Sequence, residues 1–406
     1  MSIGHLSLLA LICEWSVALL APSSVNHPQL WITAPDPPVD EMTHFRDAGL
    51  TPQPYAADLA GLPDTAWLAS LSPWPRDGFG LGRMLELLER LGHPERSFDA
   101  IHVVGTKGKS TATRTIAALL AAEGLRTGAY TSPHVAGWWE RLDTDAAGFE
   151  AAIARVRADA EAVGATQFEL LTAAAFADFA ARGVDVAAVE AGLGGRLDAT
   201  NVLGARVVLL TNVGLEHTEV LGETREQIAQ EKLAVAVAGA IVLLPDGEFA
   251  PLLPDNDVRL GGAREAAEVY LGRTIEHDVQ VQLAGRLEIR EHEVRDGAHT
   301  PEAVDWLLER LPPPRDYVVV ASILGDKDAA GILARLATAG STLVATQSTN
   351  ERALPARALA EAAAESFARV EAVADPQTAV ARAHELGERV LVTGSLYLLA
   401  DLAASD

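Results

Sequence analysis

The sequence predicts an α/β protein of two successive units, each a mostly parallel sheet covered by helices, with an anion-gripping turn in the first. Three observations carry this expectation. Apolar strand-like runs at 101–104, 185–190 and 206–212 alternate with helix-like segments, the pattern of strands buried on both faces. A second alternating set fills the last third, with strand-like runs at 317–321, 342–346 and 389–393. Finally, a cluster of glycine, lysine and hydroxyl residues at 105–111 stands directly between a strand run and a helix run.

Taken in order, the chain opens on an apolar run at 6–20. No Lys or Arg precedes it, the first basic residue is Arg46, and Glu14 interrupts it. The run is also short beside the roughly 20 residues of a membrane span. Residues 1–42 are therefore expected to be a disordered or spurious extension, with Met42 as an alternative start and a signal peptide or anchor as the competing reading. Residues 83–92 have helical spacing and close on Gly92. The strand at 101–104 leads through the loop into an Ala/Leu-rich helix that ends at Gly124. A strand at 128–130 and a helix at about 147–162 follow. The helix at 168–182 places Phe168, Leu171, Ala175, Phe176 and Phe179 on one face. Thr166 and Glu169 have capping-box spacing before it, and Gly183 supplies the stop. The helix at 224–237 opens in the same way on Thr224 and Gln227. The stretch 245–300 reads as polar and irregular. The boundary is placed near 284–287, giving units 43–284 and 288–406, with 246–262 as the competing position.

Bulk composition excludes several partners. The 406 residues are 49% apolar, as in ordinary globular proteins, and 32 basic against 56 acidic side chains leave a net charge of −24. Nucleic acid and anionic membranes need clustered Lys and Arg, so neither is expected. Cys13 is the only cysteine, which rules out an intrachain disulfide or a cysteine metal cage and fits a reducing compartment.

The most informative segment is Gly105-Thr106-Lys107-Gly108-Lys109-Ser110-Thr111. Glycines let a loop fold tightly and aim successive N–H groups at an anion, and the following helix adds its positive end. Lys109 would meet the β/γ-phosphates of a nucleotide, and a hydroxyl from Ser110 or Thr111 would ligate Mg²⁺. The spacing is shorter than the common Gly-x-x-x-x-Gly-Lys loop. Glu190 ends a strand at the sheet's carboxyl edge, where ligands of such sheets bind. A charge there needs a partner, and Mg²⁺ is a suitable one.

Further segments follow in order: Thr131-Ser132-Pro133-His134, Phe168-Glu169-Leu170-Leu171-Thr172, the run 190–201 containing Gly192-Leu193-Gly194-Gly195-Arg196-Leu197-Asp198-Ala199-Thr200-Asn201, Gly214-Leu215-Glu216-His217, Asp296-Gly297-Ala298-His299 and Val392-Thr393-Gly394-Ser395-Leu396-Tyr397. Together with the loop they make the chain resemble the folylpolyglutamate synthase/dihydrofolate synthase family of Mur-type ligases, from about residue 65 to the C-terminus. The resemblance implies a Mur-ligase-like P-loop ATPase domain followed by a smaller Rossmann-like domain. It implies a cytoplasmic, monomeric enzyme that uses ATP and Mg²⁺ to join L-glutamate to dihydropteroate or a folate through an acyl phosphate.

By position, the resemblance makes Gly105 to Thr111, Arg286, Asp296 and His299 nucleotide contacts, and Ser110 or Thr111, Glu190 and His217 metal ligands. Lys109, Lys232, Arg286 and His217 inherit catalytic roles, Lys232 in carbamylated or free form. Phe168, Arg196, Asp198, Ala199 and Ser132 line the pterin pocket. Lys107 stands where the family has Asn, and the segments after Glu140 and between 245 and 285 are short. A different carboxylate substrate, or a relative that binds nucleotide without turnover, stays open on those grounds.

Overall fold

The computed structural model describes residues 63–404, apart from 73, 74, 76 and 77. The apolar run at 6–20, Cys13, Met42 and the expected extension 1–42 lie outside the described residues, as does the start of the first unit at 43–62.

Two helices, α1 (Pro63–Ser70) and α2 (Gly82–Arg90), precede β1 (Asp99–Val104). Then come α3 (Lys109–Ala122), β2 (Thr127–Tyr130), α4 (Ala146–Val163), α5 (Gln167–Arg182), β3 (Val186–Glu190) and β4 (Val207–Leu210). The short α6 (Thr218–Leu221) and α7 (Arg225–Leu233) lead to β5 (Ile241–Leu244), β6 (Asp257–Leu260) and α8 (Ala263–Leu271). The six strands form one parallel sheet in the order β2-β3-β1-β4-β5-β6. The chain runs out from β1 to β2, returns through β3, and crosses to β4 on the other side. The carboxyl ends of β1, β3 and β4 thus meet at the point where strand order reverses, the place such sheets leave open for ligands.

A second sheet has the order β11-β10-β9-β12-β8-β7. Its strands are β7 (Glu288–Ile289), β8 (Glu293–Arg295), β9 (Val318–Ala321), β10 (Thr342–Ala345), β11 (Arg369–Ala372) and β12 (Val390–Thr393). Only the β7/β8 pairing is antiparallel. The helices α9 (Pro301–Arg310), α10 (Ala329–Leu336), α11 (Ala356–Ala363), α12 (Pro376–Leu386) and α13 (Leu396–Ala403) alternate with these strands.

The period of two in each strand decides what it packs against. In β4, Val207 and Leu209 join Ile116, Leu119 and Leu120 of α3 and Ala266 of α8, while Val208 and Leu210 join Ile228 and Ala229 of α7. In β3, Val186 and Ala188 face the α3 layer, whereas Ala187 and Val189 face α5. Glu190 continues the parity of Val186 and Ala188, which puts its carboxylate on the α3 side of the sheet.

The strand and helix expectations hold for the long periodic elements, including both capping boxes, at Thr166/Glu169 and Thr224/Gln227. Three details differ. First, α5 is buried from Glu169 to Phe179 on every side rather than along one stripe, because it is sandwiched between the sheet and other helices. Second, the helix expected at 224–237 ends at Leu233. Third, residues 245–300 are not irregular: they contain β6, which completes the first sheet, and α8, which packs on α3. Sequence reading misses β6 because it is an edge strand with exposed Asp257 and Arg259, so it has no apolar run. A boundary at 246–262 would cut through this sheet.

Candidate active site

The loop after β1 is fastened to the loop after β4. Asn212 accepts from the Thr106 amide through its carbonyl (3.0 Å) and from the Lys107 amide through Oδ1 (2.9 Å). The Thr211 hydroxyl donates to the Lys107 carbonyl at 2.7 Å, and Gly214 N–H donates to Thr106 Oγ1 at 3.0 Å. Gly105 has φ +147°, and a Cβ there would lie 2.0 Å from Thr211 Oγ1. Only glycine lets the loop approach its neighbour this closely. Two of the loop's amides are thus consumed by the fold. The next four, from Gly108 to Thr111, have no protein acceptor among the described residues. They stand at the positive end of α3, an arrangement that suits a phosphate chain.

Glu190 faces this turn. It is 1% exposed, and Oε2 accepts from the Ser132 amide at 3.0 Å. Burial pushes its carboxyl above the ordinary carboxylate range. Opposing that push are the Lys109 ammonium, the Ser132 amide, the Ser110 hydroxyl and the Arg286 guanidinium. A buried carboxylate beside a hydroxyl, at the mouth of a loop with open amides, is the donor set Mg²⁺ takes when it arrives with a nucleotide: one carboxylate, one hydroxyl and phosphate oxygens. Ser110 fits that role; Thr111 is exposed.

His217 lies at the edge of this group, where the charges of Glu216, Lys327 and Lys232 act on it. It is exposed, sits at φ 53° as the residue before α6, and its nearest carboxylate is Glu219 at 3.8 Å. No cluster of three His, Cys, Asp or Glu side chains poised for a metal exists among the described residues.

Lys232 is 5% exposed and donates to the Gly105 carbonyl at 3.0 Å, so it is not a solvated helix lysine. Burial, aided by Lys109, brings its ammonium down to about 7.

The chain between the sheets brings Arg286 to the same place. Its turn is held by Arg286 N–H to the Leu283 carbonyl (3.1 Å) and by Gly285 N–H to Glu288 (3.0 Å). Asp296 uses one carboxylate oxygen for the Leu287 amide (2.7 Å) and the other for the Ala298 amide (2.8 Å). It therefore fastens the Arg286 turn in place, with one amide on each oxygen. His299 donates through Nδ1 to the Gly297 carbonyl at 2.7 Å, leaving Nε2 3.9 Å from Glu216. Burial first, then Lys107, lowers its pKa to about 4. Glu216 also takes the Lys107 ammonium at 2.6 Å, and Lys327, from the loop after β9, adds its charge near both His299 and His217.

A cavity of about 280 Å³ opens beside this group, walled by Phe79, Ser132, Phe168, Leu193, Asp198 and Ala199 among others. Phe168 is half-buried with its ring on the cavity, 6.1 Å from the Tyr130 ring. Asp198 is buried and already occupied: Oδ1 accepts from the Thr200 amide and hydroxyl, and Oδ2 from the Leu193 amide. The hydroxyl of Thr200 in turn bonds the buried His102 ring at 2.8 Å. Asp198 thus shapes the glycine-rich loop before it can meet any ligand. Arg196 lies outside this cavity, exposed and paired with Glu231 at 2.8 Å. His134 sits behind the wall, accepting at Nδ1 from Arg141.

Sequence reading missed Asn212 and Arg114. Asn212 closes an apolar strand and showed no motif. Arg114 lies one helical turn beyond Ser110, a spacing that places both on one face of α3.

Residues 103–238 match the Mur ligase middle domain, and residues 285–396 match the Mur ligase, glutamate ligase domain. The chain is 32% identical over 388 residues to a dihydrofolate synthase/folylpolyglutamate synthase of Mycobacterium tuberculosis, covering 72% of this chain and 80% of that one. A crystal structure of M. tuberculosis folylpolyglutamate synthase with ADP and AMPPCP superposes with a TM-score of 0.73 at 28% identity, covering 80% of this chain and 94% of the other. A bifunctional folylpolyglutamate synthase/dihydrofolate synthase of Yersinia pestis, with AMPPNP and Mn, gives 0.72 at 27% identity, covering 87% and 99%.

Proposed function

Because the chain belongs to the dihydrofolate synthase/folylpolyglutamate synthase family of Mur ligases, we propose that it is an ATP-dependent ligase joining L-glutamate to a folate-type carboxylate. The observation that carries this reading is the loop with four open amides facing the buried Glu190–Ser110 pair, flanked by Lys109 and Arg286. We place the hinge near 284–287. The unit ending at 284 would grip the nucleotide, and 288–406 would bring the amino acid. The first sheet closes with β6 and α8, and the second begins at Glu288.

A carboxylate oxygen is too poor a leaving group for direct attack by an amine. The acceptor carboxylate therefore adds to the γ-phosphorus, ADP departs, and the glutamate amine then attacks the acyl carbon and expels phosphate. The work is positioning and charge neutralisation. The amides from Gly108 to Thr111 orient the phosphate chain. Lys109 and Arg286 meet charge on the phosphoryl oxygens. Mg²⁺ entering with ATP would be held by Glu190 and the Ser110 hydroxyl and would neutralise part of the triphosphate charge. The 280 Å³ cavity takes the pterin, with Phe168 against the ring and Ser132 and Ala199 on the wall. The enzyme acts as a cytoplasmic monomer on small molecules. Among the described residues no helix is long and apolar enough to cross a membrane.

The test is phosphate release across a panel of acceptors. Release that requires L-glutamate together with dihydropteroate or a reduced folate supports the assignment; ATP binding without any acceptor-dependent release overturns it.

Gly192→Ala tests the pterin pocket. The added Cβ would lie 2.5 Å from Phe168 Cζ and 3.1 Å from Asp198 Oδ2, so the ring must move into the cavity. The KM for a pterin acceptor is expected to rise roughly tenfold, with the KM for ATP unchanged.

Lys232 offers a pH test. Its folded pKa, about 7, is far below the ordinary lysine range, so the unfolded chain holds the proton more tightly. Stability is therefore expected to increase as pH rises above about 7, toward the unfolded value. Lys232→Met should flatten that slope in urea melts across this range. A neutral amine is also the form that reacts with CO₂, so intact mass in bicarbonate buffer would reveal a carbamate on Lys232.

A further inference from the structure

One cavity has no task in the scheme above. It measures about 510 Å³ and is walled by Ser110, Arg114, Thr131, Glu140, Gln282 and Arg286, among others. Pro133 lines both this cavity and the pterin cavity, so the two are neighbours. Ser110 connects it to the site of phosphoryl transfer, because the Ser110 hydroxyl meets Glu190.

Its charged groups are two cations and two carboxylates. Glu140 is spent on the loop, accepting from the Val135 amide at 2.9 Å and the Ala136 amide at 2.7 Å. Asp143 pairs with Arg114, whose guanidinium also reaches the Glu140 carbonyl. Arg114 Nε is buried and has no acceptor among the described residues. Burial weakens the guanidinium's hold on its proton, and the charges of Glu140 and Glu190 oppose that loss. Among the described residues the Arg286 guanidinium has one hydrogen bond, to the Gly285 carbonyl at 3.3 Å. A cavity walled by two guanidiniums, one of them weakly engaged, suits an anion with several acceptor oxygens.

The two acceptor types differ in one respect. Dihydropteroate ends in a single aryl carboxylate. A folate ends in glutamate, whose α-carboxylate lies a short aliphatic spacer from the γ-carboxylate that is activated. With the reacting carboxylate at Ser110 and Glu190 and the ring in the pterin cavity, that second carboxylate needs a cationic place beside Ser110.

Resting on the ligase reading above, we propose that the cavity between Arg114 and Arg286 receives the α-carboxylate of a γ-glutamyl acceptor, and that Arg114 determines whether such acceptors are used. Arg286 is shared with the phosphoryl group. Arg114 isolates the tail.

The experiment compares dihydropteroate with tetrahydrofolate and its diglutamate, reading phosphate release at saturating ATP and L-glutamate. Arg114→Gln is expected to lower kcat/KM for the glutamyl acceptors roughly tenfold or more, chiefly through KM, as a charge-assisted bond is lost. For dihydropteroate the change is expected to stay within about twofold, the scale of a lost remote contact. Arg114→Lys should recover part of the loss. Asp143→Asn, which releases the guanidinium, should lower the KM for the glutamyl acceptors. Should Arg114→Gln fail to fold, Arg114→Lys and Asp143→Asn carry the comparison. Equal loss on both acceptors, or no loss on either, overturns the proposal, as does an unmutated enzyme that uses dihydropteroate alone. An unmutated enzyme that uses none of these acceptors instead defeats the ligase reading.

Discussion

Lys109→Ala is expected to lower acceptor-dependent phosphate release by about 10³-fold or more, the scale seen when a cation on a transferring phosphoryl group is removed. In the structure its ammonium is folded back on the loop, 3.4 Å from the Thr106 carbonyl, and its charge acts on both Glu190 and Lys232. Lys109 and Arg286 act on one buried carboxylate, and Lys232 stands near enough to Lys109 to feel its charge, which leaves a local excess of positive charge. In a protein with a net charge of −24, that excess is costly unless an anion regularly fills it. Removing Lys109 relieves repulsion on Lys232, whose pKa should climb from about 7 toward the usual lysine range. That relief is set against the loss of the main charge opposing the burial of Glu190, so the variant should melt close to the parent while losing turnover. A kinetic split is informative: the loss should fall mainly in kcat, with ATP still held by the open amides of the loop. Lys109→Ala with near-parental turnover would remove the loop from the chemistry.

How far this site could be read from sequence depends on what each residue is bound to. Gly105, Lys109 and Glu190 were legible because their surroundings are local: a strand end, a tight turn, a helix start. The long apolar strands and the two capping boxes were legible for the same reason. Asp198 and Asp296 were legible as positions, and the structure adds what holds them. Each is a buried carboxylate whose oxygens are taken by amides of its own loop, and sequence does not say which way a carboxylate turns. Arg196 and His217 show the converse. Their motif neighbours line the site, yet Arg196 is drawn to Glu231 on the surface and His217 sits exposed at a helix start. The strand β6 was missed because an edge strand is polar. Lys107 and His299 were read as nucleotide contacts, but their meeting with Glu216 and Lys327 was not, because the group is assembled from both sheets and no local pattern announces a contact of that kind.

Glu190→Gln separates function from stability most sharply. Burial, the largest influence on this carboxyl, raises its pKa, with Lys109 the main opposing charge. A group whose folded pKa is raised binds its proton more tightly in the native state. The parent should therefore gain stability as pH falls from neutrality toward the ordinary carboxylate range, and at neutral pH the ionised side chain weakens the fold. Glutamine keeps the shape, and its Oε1 can still accept the Ser132 amide, but it carries no charge to desolvate. Glu190→Gln is thus expected to melt higher than the parent at neutral pH, with the difference shrinking on acidification. Turnover should move the other way, falling on the order of 10²–10³-fold, because the carboxylate that would hold Mg²⁺ and that offsets Lys109 and Arg286 is gone. Opposite signs in the two measurements are the mark of a charge kept for chemistry rather than for folding. A variant that loses stability and activity together would instead make Glu190 a structural anchor for the Ser132 loop.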